Sequence, residues 1–206
     1  MELLELEIPK QLRQKFMIKT TDSPEAEKEY KKARYLIDLQ KKKEDLTKAD
    51  QHLEQAIKYD SKFLYAHAQR GVIAFKLGEF EKSEEILNLA LEIAENDKSK
   101  ISNAYIYAIL GQLYILWSKN SQALKYNKKA LEVYKYLEDT ANEAIVIHNL
   151  ATTLLHSGED MDALKYYQQS LEIMRKNEDR LSQGLSYGQM GNVYLSLYDF
   201  SKSIHY

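Results

Sequence analysis

Small residues recur along this chain at a fixed distance from one another. One series occupies every fortieth position and consists of Gly71, Gly111, Ala151 and Gly191. A second series has the same spacing, lies twelve positions further along, and consists of Ser83, Ala123, Ala163 and Ser203. A looser pair, Ile37 and Ala49, keeps the same offset and precedes Gly71 and Ser83 by a shorter step of thirty-four. Two series that keep one offset indicate an internal structural repeat of about five units.

Each unit is predicted to be an antiparallel pair of helices, A followed by B. Apolar residues recur at distances of three and four, the period of a helix. The chain has only 7 Gly and 2 Pro, too few for the turns of a β protein or the loops of an α/β enzyme. We therefore expect an all-α fold whose first helix begins at Pro24, after the cap residue Ser23. Caps of later A helices are expected at Ser99, Asp139 and Asp179.

The unit resembles the tetratricopeptide repeat (TPR), whose pattern is Trp-x2-Leu-Gly-x2-Tyr followed by Ala-x3-Phe. The third unit reads Tyr107-x2-Leu110-Gly111-x2-Tyr114, and the fifth opens Tyr187-x2-Met190-Gly191-x2-Tyr194. The spacing resembles the long, forty-residue form of this repeat, and the terminal Pro of the pattern is missing. The resemblance implies a right-handed superhelical solenoid of antiparallel helix pairs, with residues 1–23 as an N-terminal extension or cap and residues 24–206 as the array.

The last unit is expected to be truncated, because the sequence stops three residues after Ser203, inside the fifth B helix. A solenoid normally ends on a polar capping helix. We therefore expect ordered helices to about residue 198 and a poorly held tail, with an end-to-end dimer through the open ends as the alternative.

Catalysis, metal binding and nucleic-acid binding find little support in the sequence. The net charge is −2 and Cys is absent, which excludes disulfides and a cysteine nucleophile and gives no basic field for nucleic acid. His148 and His156 are eight residues apart on a helix, unlike the spacing of about three or four that metal ligands use. With no signal peptide and no long apolar run, we expect a cytoplasmic protein that is not an enzyme and uses no cofactor, metal, nucleic acid or membrane.

The family resemblance places the binding surface on the concave face, which the A helices line. Amides recur there, and an amide can pair with both groups of an extended peptide main chain. The alternative is that these positions are merely solvated; Asn149 and Asn192 in particular are expected to be exposed. The predicted peptide-binding residues are Tyr65, Gln69, Val72, Phe75, Tyr105, Ile109, Gln112, His148, Asn149, Thr152, His156, Gln189 and Asn192.

The expected function is a scaffold that holds a protein or peptide in the concave groove, as a regulatory or sensory segment of a larger signalling protein. The alternative is a receptor for short signalling peptides of the quorum-sensing regulator type. A clamp for the C-terminal carboxylates of chaperones is not expected, because the positions where that clamp uses Lys hold Ala68, Ala108, His148 and Gly188.

Overall fold

The computed structural model describes residues 21–39, 43–96 and 100–197, and the predicted tail beyond residue 197 and most of the predicted extension lie outside them. Within these ranges the chain forms nine helices and no strand, which confirms the all-α prediction. The helices are α1 (Pro24–Leu39), α2 (Lys43–Tyr59), α3 (Leu64–Lys76), α4 (Phe80–Asn96), α5 (Lys100–Leu116), α6 (Asn120–Tyr136), α7 (Thr140–His156), α8 (Asp160–Lys176) and α9 (Arg180–Ser196).

Two compact units divide the chain, and their boundary falls inside α5, between Ile109 and Leu110. We call the described residues up to Ile109 the N-terminal unit and those from Leu110 the C-terminal unit. Odd-numbered helices are the A helices of the predicted repeat, and even-numbered helices are its B helices.

In the N-terminal unit, α1 packs on α2, α2 on α3, and α3 on α4. Gly71 and Ser83 meet where α3 crosses α4: the Ser83 hydroxyl donates to the carbonyl oxygen of Gly71 at 2.7 Å. A Cβ at position 71 would lie 2.5 Å from Cγ of Leu87, so only glycine permits this approach. The small residues of the repeat therefore set the distance between A and B helices, as predicted.

In the C-terminal unit, α7 is surrounded by α6, α8 and α9. Ala151 of α7 and Ala163 of α8 are fully buried, and the core continues through Tyr167 to Met190 and Val193 of α9. Gly111 stands against Asn127, with which a Cβ would collide at 2.4 Å. The same small-against-large pairing thus recurs along the chain.

The helices from α5 to α9 all have 17 residues. They are joined by three-residue connections. The middle residue of each connection has a positive φ: 57° at Ser118, 56° at Glu138, 77° at Gly158 and 58° at Glu178. The following N–H closes each turn, as when Glu159 N donates to the Leu154 carbonyl at 3.0 Å. This is the αL helix ending that glycine favours, yet three of the four positions hold another residue.

Three of the predicted caps are present. The Ser23 hydroxyl accepts from Ala26 N at 3.1 Å, ahead of a helix that begins at Pro24. The carboxylates of Asp139 and Asp179 accept from Asn142 N and Ser182 N at 3.2 and 3.1 Å. The predicted cap at residue 99 lies outside the described residues.

Candidate functional site

The predicted binding residues all lie on A helices, and the two compact units present them differently. In the N-terminal unit, Tyr65, Gln69, Tyr105 and Ile109 are at most 9% exposed. Val72 and Phe75, further along α3, are half-buried. Only the last two therefore offer side-chain surface to a ligand as they stand.

Tyr65, Gln69 and Tyr105 form a buried group that we call the tyrosine cluster. The rings of Tyr65 and Tyr105 lie 5.3 Å apart, and the Gln69 amide donates to the Tyr105 hydroxyl at 3.2 Å. Burial raises the pKa of Tyr105 far above its ordinary value, and the nearby Tyr30 and Tyr65 hydroxyls add to the rise. Tyr105 is therefore a neutral hydroxyl. Tyr30 of α1 is not among the predicted binding residues, which were all taken from the second and later repeats.

A cavity of about 830 Å³ opens beside Tyr65 in the N-terminal unit. It lies where α2 and α4 end and where α1, α3 and α5 begin. Polar and apolar side chains both line it, among them Tyr59, Asp60, Leu64, Tyr65, Ile93 and Ser102. Its volume is within the range that small ligands occupy in proteins.

In the C-terminal unit, His148, Asn149 and Thr152 are only 6–7% exposed. The prediction that Asn149 is exposed is wrong. The register predicted that these residues share a face of α7, but it did not show that α9 packs against that helix. The repeat pattern of one helix does not show how far its neighbour covers it.

His148 and Thr152 are satisfied inside this packing. Nδ1 of His148 lies 3.0 Å from the Ser186 hydroxyl, and the ring meets Tyr167 edge-on at 5.0 Å. The hydroxyls of Thr152 and Tyr167 are hydrogen-bonded at 2.9 Å. Burial lowers the pKa of His148 to about 4, so the ring is neutral near pH 7. These side chains hold α7, α8 and α9 together.

Asn149 differs from its neighbours, because its amide nitrogen is buried and has no hydrogen-bond partner among the described residues. A buried donor without an acceptor costs about 1–3 kcal/mol. An acceptor supplied by a ligand would recover that free energy if the side chain rotated towards it.

The accessible predicted residues of the C-terminal unit are amides and a histidine. Asn192 and His156 are exposed, while Gln112 and Gln189 are half-buried. The Asn192 amide lies 3.4 Å from the Gln189 side-chain oxygen, which is long for a hydrogen bond. Both groups can therefore exchange this contact for one with a ligand.

Within the described ranges, no set of three His, Cys, Asp or Glu side chains is arranged to hold a metal ion. Among the described helices, none combines the length and the apolarity that spanning a bilayer requires.

Solved structures share the fold at low sequence identity. The Signal Transduction ATPase with Numerous Domains (STAND) protein with a tetratricopeptide repeat sensor, from Pyrococcus horikoshii, matches 86% of this chain with a TM-score of 0.77 and 22% identity. The chain spans only 28% of the length of that protein. BtubC from P. vanneervenii matches 87% of the chain and 84% of its own length, with a TM-score of 0.71 and 21% identity.

A third solved structure is YrrB, described as a TPR protein with an unusual peptide-binding site. It covers 95% of this chain and 86% of its own, with a TM-score of 0.56 and 15% identity. Among curated proteins, no sequence matches this chain. The family model for the tetratricopeptide repeat matches residues 63–135 and 142–206, most of the chain. Together with the helix pairs and their small-residue crossings, this match shows that the chain belongs to the tetratricopeptide repeat family.

Proposed function

We propose that the protein is a non-catalytic scaffold that binds an extended polypeptide on the A-helix face of its C-terminal unit. The observation that carries the proposal is the set of amides on α7 and α9. Asn149 has an unpartnered nitrogen, and Gln189 and Asn192 are accessible with only a long mutual contact. Each amide can donate to a carbonyl and accept from an N–H of a peptide main chain.

The relatives support both the ligand class and the role. A peptide-binding site is named for YrrB, and a TPR sensor is named for the STAND protein. By analogy, we assign this chain to a regulatory or sensory segment of a cytoplasmic signalling protein.

The test selects binders from a display library of random peptides and measures their affinity by calorimetry. The variant Gln189→Ala/Asn192→Ala is expected to raise the Kd roughly thirtyfold, since it removes two neutral hydrogen bonds that contribute about 1 kcal/mol each. Its melting temperature should not change, because neither side chain is buried. The matched control is Gln168→Ala/Gln169→Ala, which removes two exposed amides from α8 on a B helix. An equal loss of peptide affinity in the two variants would contradict the proposed binding surface.

The second candidate, a receptor for short signalling peptides, is favoured by the cavity beside Tyr65. A volume of about 830 Å³ suits a short peptide better than a long extended one. Tyr59 lines this cavity and is 57% exposed, so Tyr59→Ala removes ligand contact with little effect on folding. The receptor hypothesis expects that variant to lose affinity for peptides of four to eight residues (roughly the length such a volume admits). Unchanged affinity would count against it.

A further inference from the structure

Opposite charges are concentrated on the outer faces of two B helices. On α4 the exposed positions include Glu85, Glu92 and Glu95. On α6 the exposed positions include Lys125, Lys128, Lys129 and Lys135, with Glu132 as the one acidic residue of that helix. Each patch lies within a single compact unit.

Four of these charges are not neutralised locally in the way that those of α8 are. On α8, Lys165 pairs with Asp162 at 2.7 Å and Lys176 with Glu172 at 2.9 Å. Glu85, Glu92, Lys128 and Lys135 form no ion pair within the described part of the chain. The nearest contact of Glu95 is a long one, 3.4 Å from the Tyr107 hydroxyl.

The spacing of the two charge sets is complementary in the antiparallel direction. Along α4 the glutamates 85, 92 and 95 are separated by seven and then three residues. Along α6 the lysines 125, 128 and 135 are separated by three and then seven. Distances of three and seven keep side chains on one helix face. Two helices laid antiparallel would therefore bring every member of one set opposite a member of the other.

We propose that two copies of this chain associate by placing α4 of one copy antiparallel on α6 of the other. In that register Glu85 faces Lys135 of the second copy, Glu92 faces Lys128, and Glu95 faces Lys125. Glu132 falls opposite the neutral Asn88, so no like charges meet. The net charge of −2 gives little overall repulsion between copies. This contact uses B helices and is independent of the proposed peptide surface and of any end-to-end contact.

Exposed ion pairs are individually weak and are screened by salt, so the association is expected to be weak and salt-sensitive. Sedimentation equilibrium of the full chain should show dimers or larger species at about 0.01 M salt. The apparent Kd should rise at least roughly tenfold at about 0.5 M salt, where the Debye length is only a few ångströms. A monomer at both salt concentrations, at protein concentrations up to about millimolar, overturns the proposal.

Charge reversal provides the decisive test. Glu85→Lys/Glu92→Lys/Glu95→Lys and Lys125→Glu/Lys128→Glu/Lys135→Glu are each expected to be monomeric, because each carries like charges on both faces. An equimolar mixture should associate again, since α4 of the first variant then matches α6 of the second. All six positions are exposed, and circular dichroism checks that both variants remain helical. Failure of the mixture to associate overturns the proposal.

A matched pair of single substitutions tests the register. Lys128→Glu places a negative charge opposite Glu92, whereas Lys129→Glu places it opposite Leu91 on the same helix. The first should weaken association several-fold more than the second. Equal effects would show a diffuse electrostatic attraction and overturn the antiparallel register. A dimer insensitive to salt and to both triple variants would point to an apolar contact elsewhere and overturn the proposal entirely.

Discussion

Asn127 occupies a position where the repeats before and after it have a large apolar or aromatic side chain. It is fully buried, and neither atom of its amide has a hydrogen-bond partner among the described residues. The equivalent residues are Leu87 and Tyr167. A Cβ added to Gly71 would lie 2.5 Å from Cγ of Leu87. A Cβ added to Gly111 would lie at the same distance, 2.5 Å, from Cγ of Asn127. A leucine therefore fits where Asn127 stands.

Asn127→Leu is expected to stabilise the protein by about 1–2 kcal/mol, because it removes the cost of burying an unpaired amide. The reverse exchange in the N-terminal unit, Leu87→Asn, should destabilise by a similar or larger amount. Urea denaturation followed by circular dichroism measures both. A lower midpoint for Asn127→Leu would mean that the amide has a partner that these contacts do not include.

His148 should make stability depend on pH. Its pKa is lowered to about 4 by burial, whereas in the unfolded chain it keeps a value near 6.5. The unfolded state therefore binds a proton first as pH falls. The stabilising contribution is complete above about pH 6.5 and is lost between there and pH 4, on the order of 3 kcal/mol in total.

We expect the urea midpoint to fall between pH 7 and pH 5, and His148→Gln to reduce the slope of that fall. Burial also lowers the pKa of His67, in the N-terminal unit, so part of the slope should remain. Comparing slopes avoids the stability change that the substitution itself causes. An unaltered slope would show that folding does not lower the pKa of His148.

Register on a helix identifies which face a residue occupies but not how closely the next helix covers it. The sequence placed Asn149, Thr152 and His148 on the A-helix face, and all three are buried under the neighbouring helices. It also placed Gln189 and Asn192 there, and these are accessible. The difference comes from the Ser186 hydroxyl and the Tyr167 ring, which reach His148 from other helices.

Two of the helix endings place a glutamate in a backbone conformation that glycine favours. Glu138 and Glu178 adopt φ values of 56° and 58°, a region that costs a non-glycine residue about 1 kcal/mol. Gly158 holds the equivalent position between α7 and α8 without that cost.

Glu138→Gly and Glu178→Gly are each expected to raise the free energy of unfolding by about 0.5–1 kcal/mol. Gly158→Ala should lower it by about as much. Glu138→Ala is the control, because it removes the carboxylate but keeps the Cβ, and should give little gain. Thermal denaturation measures all four, and an equal gain from alanine would assign the effect to charge instead of backbone strain.

Helix starts were predicted more reliably than helix ends. A cap needs one side-chain oxygen at one position, so Ser23, Asp139 and Asp179 could be recognised from residue type and spacing. The prediction was less accurate for the first repeat. There α1 ends two residues after Ile37, whereas the later A helices end five residues after the small residue of their repeat. The small residues that α1 buries fully are Ala26 and Ala33, and Ala33 lies one turn before Ile37.

From α3 to α8 burial alternates from one helix to the next, whereas α1 and α2 each bury three residues. In the N-terminal unit, α3 buries nine of its 13 residues and α4 only four of 17. In the C-terminal unit, α7 buries eleven side chains, while α6 and α8, of the same length, bury four and six. Helices with more buried contacts open less often, so hydrogen exchange should alternate as well.

Amide hydrogen exchange by mass spectrometry is expected to show slower exchange in α3 and α7 than in α4, α6 and α8. The comparison is made within each compact unit, so that differences in unit stability do not enter. Uniform exchange rates along a unit would indicate that its helices open only together.

The repeat itself, the helix pairs and the family were predictable because small residues at helix crossings leave a fixed trace in the sequence. The buried polar contacts of the candidate site were not, because they depend on rotamers and on residues from three different helices. Tyr30 beside Tyr105 is an example: nothing in its own segment relates it to a residue so much later in the chain.

The equal connections between α5 and α9 have a consequence for how such a gene can change. Because helices of one length alternate with three-residue connections, Lys119 and Glu159 are each the last residue before the B helix in successive repeats. Unequal recombination that joined the codon for Lys119 to the codon for Asp160 would delete one B helix and one A helix and keep the phase of every remaining one. Arrays of this kind can gain or lose units between generations without any new loop having to evolve.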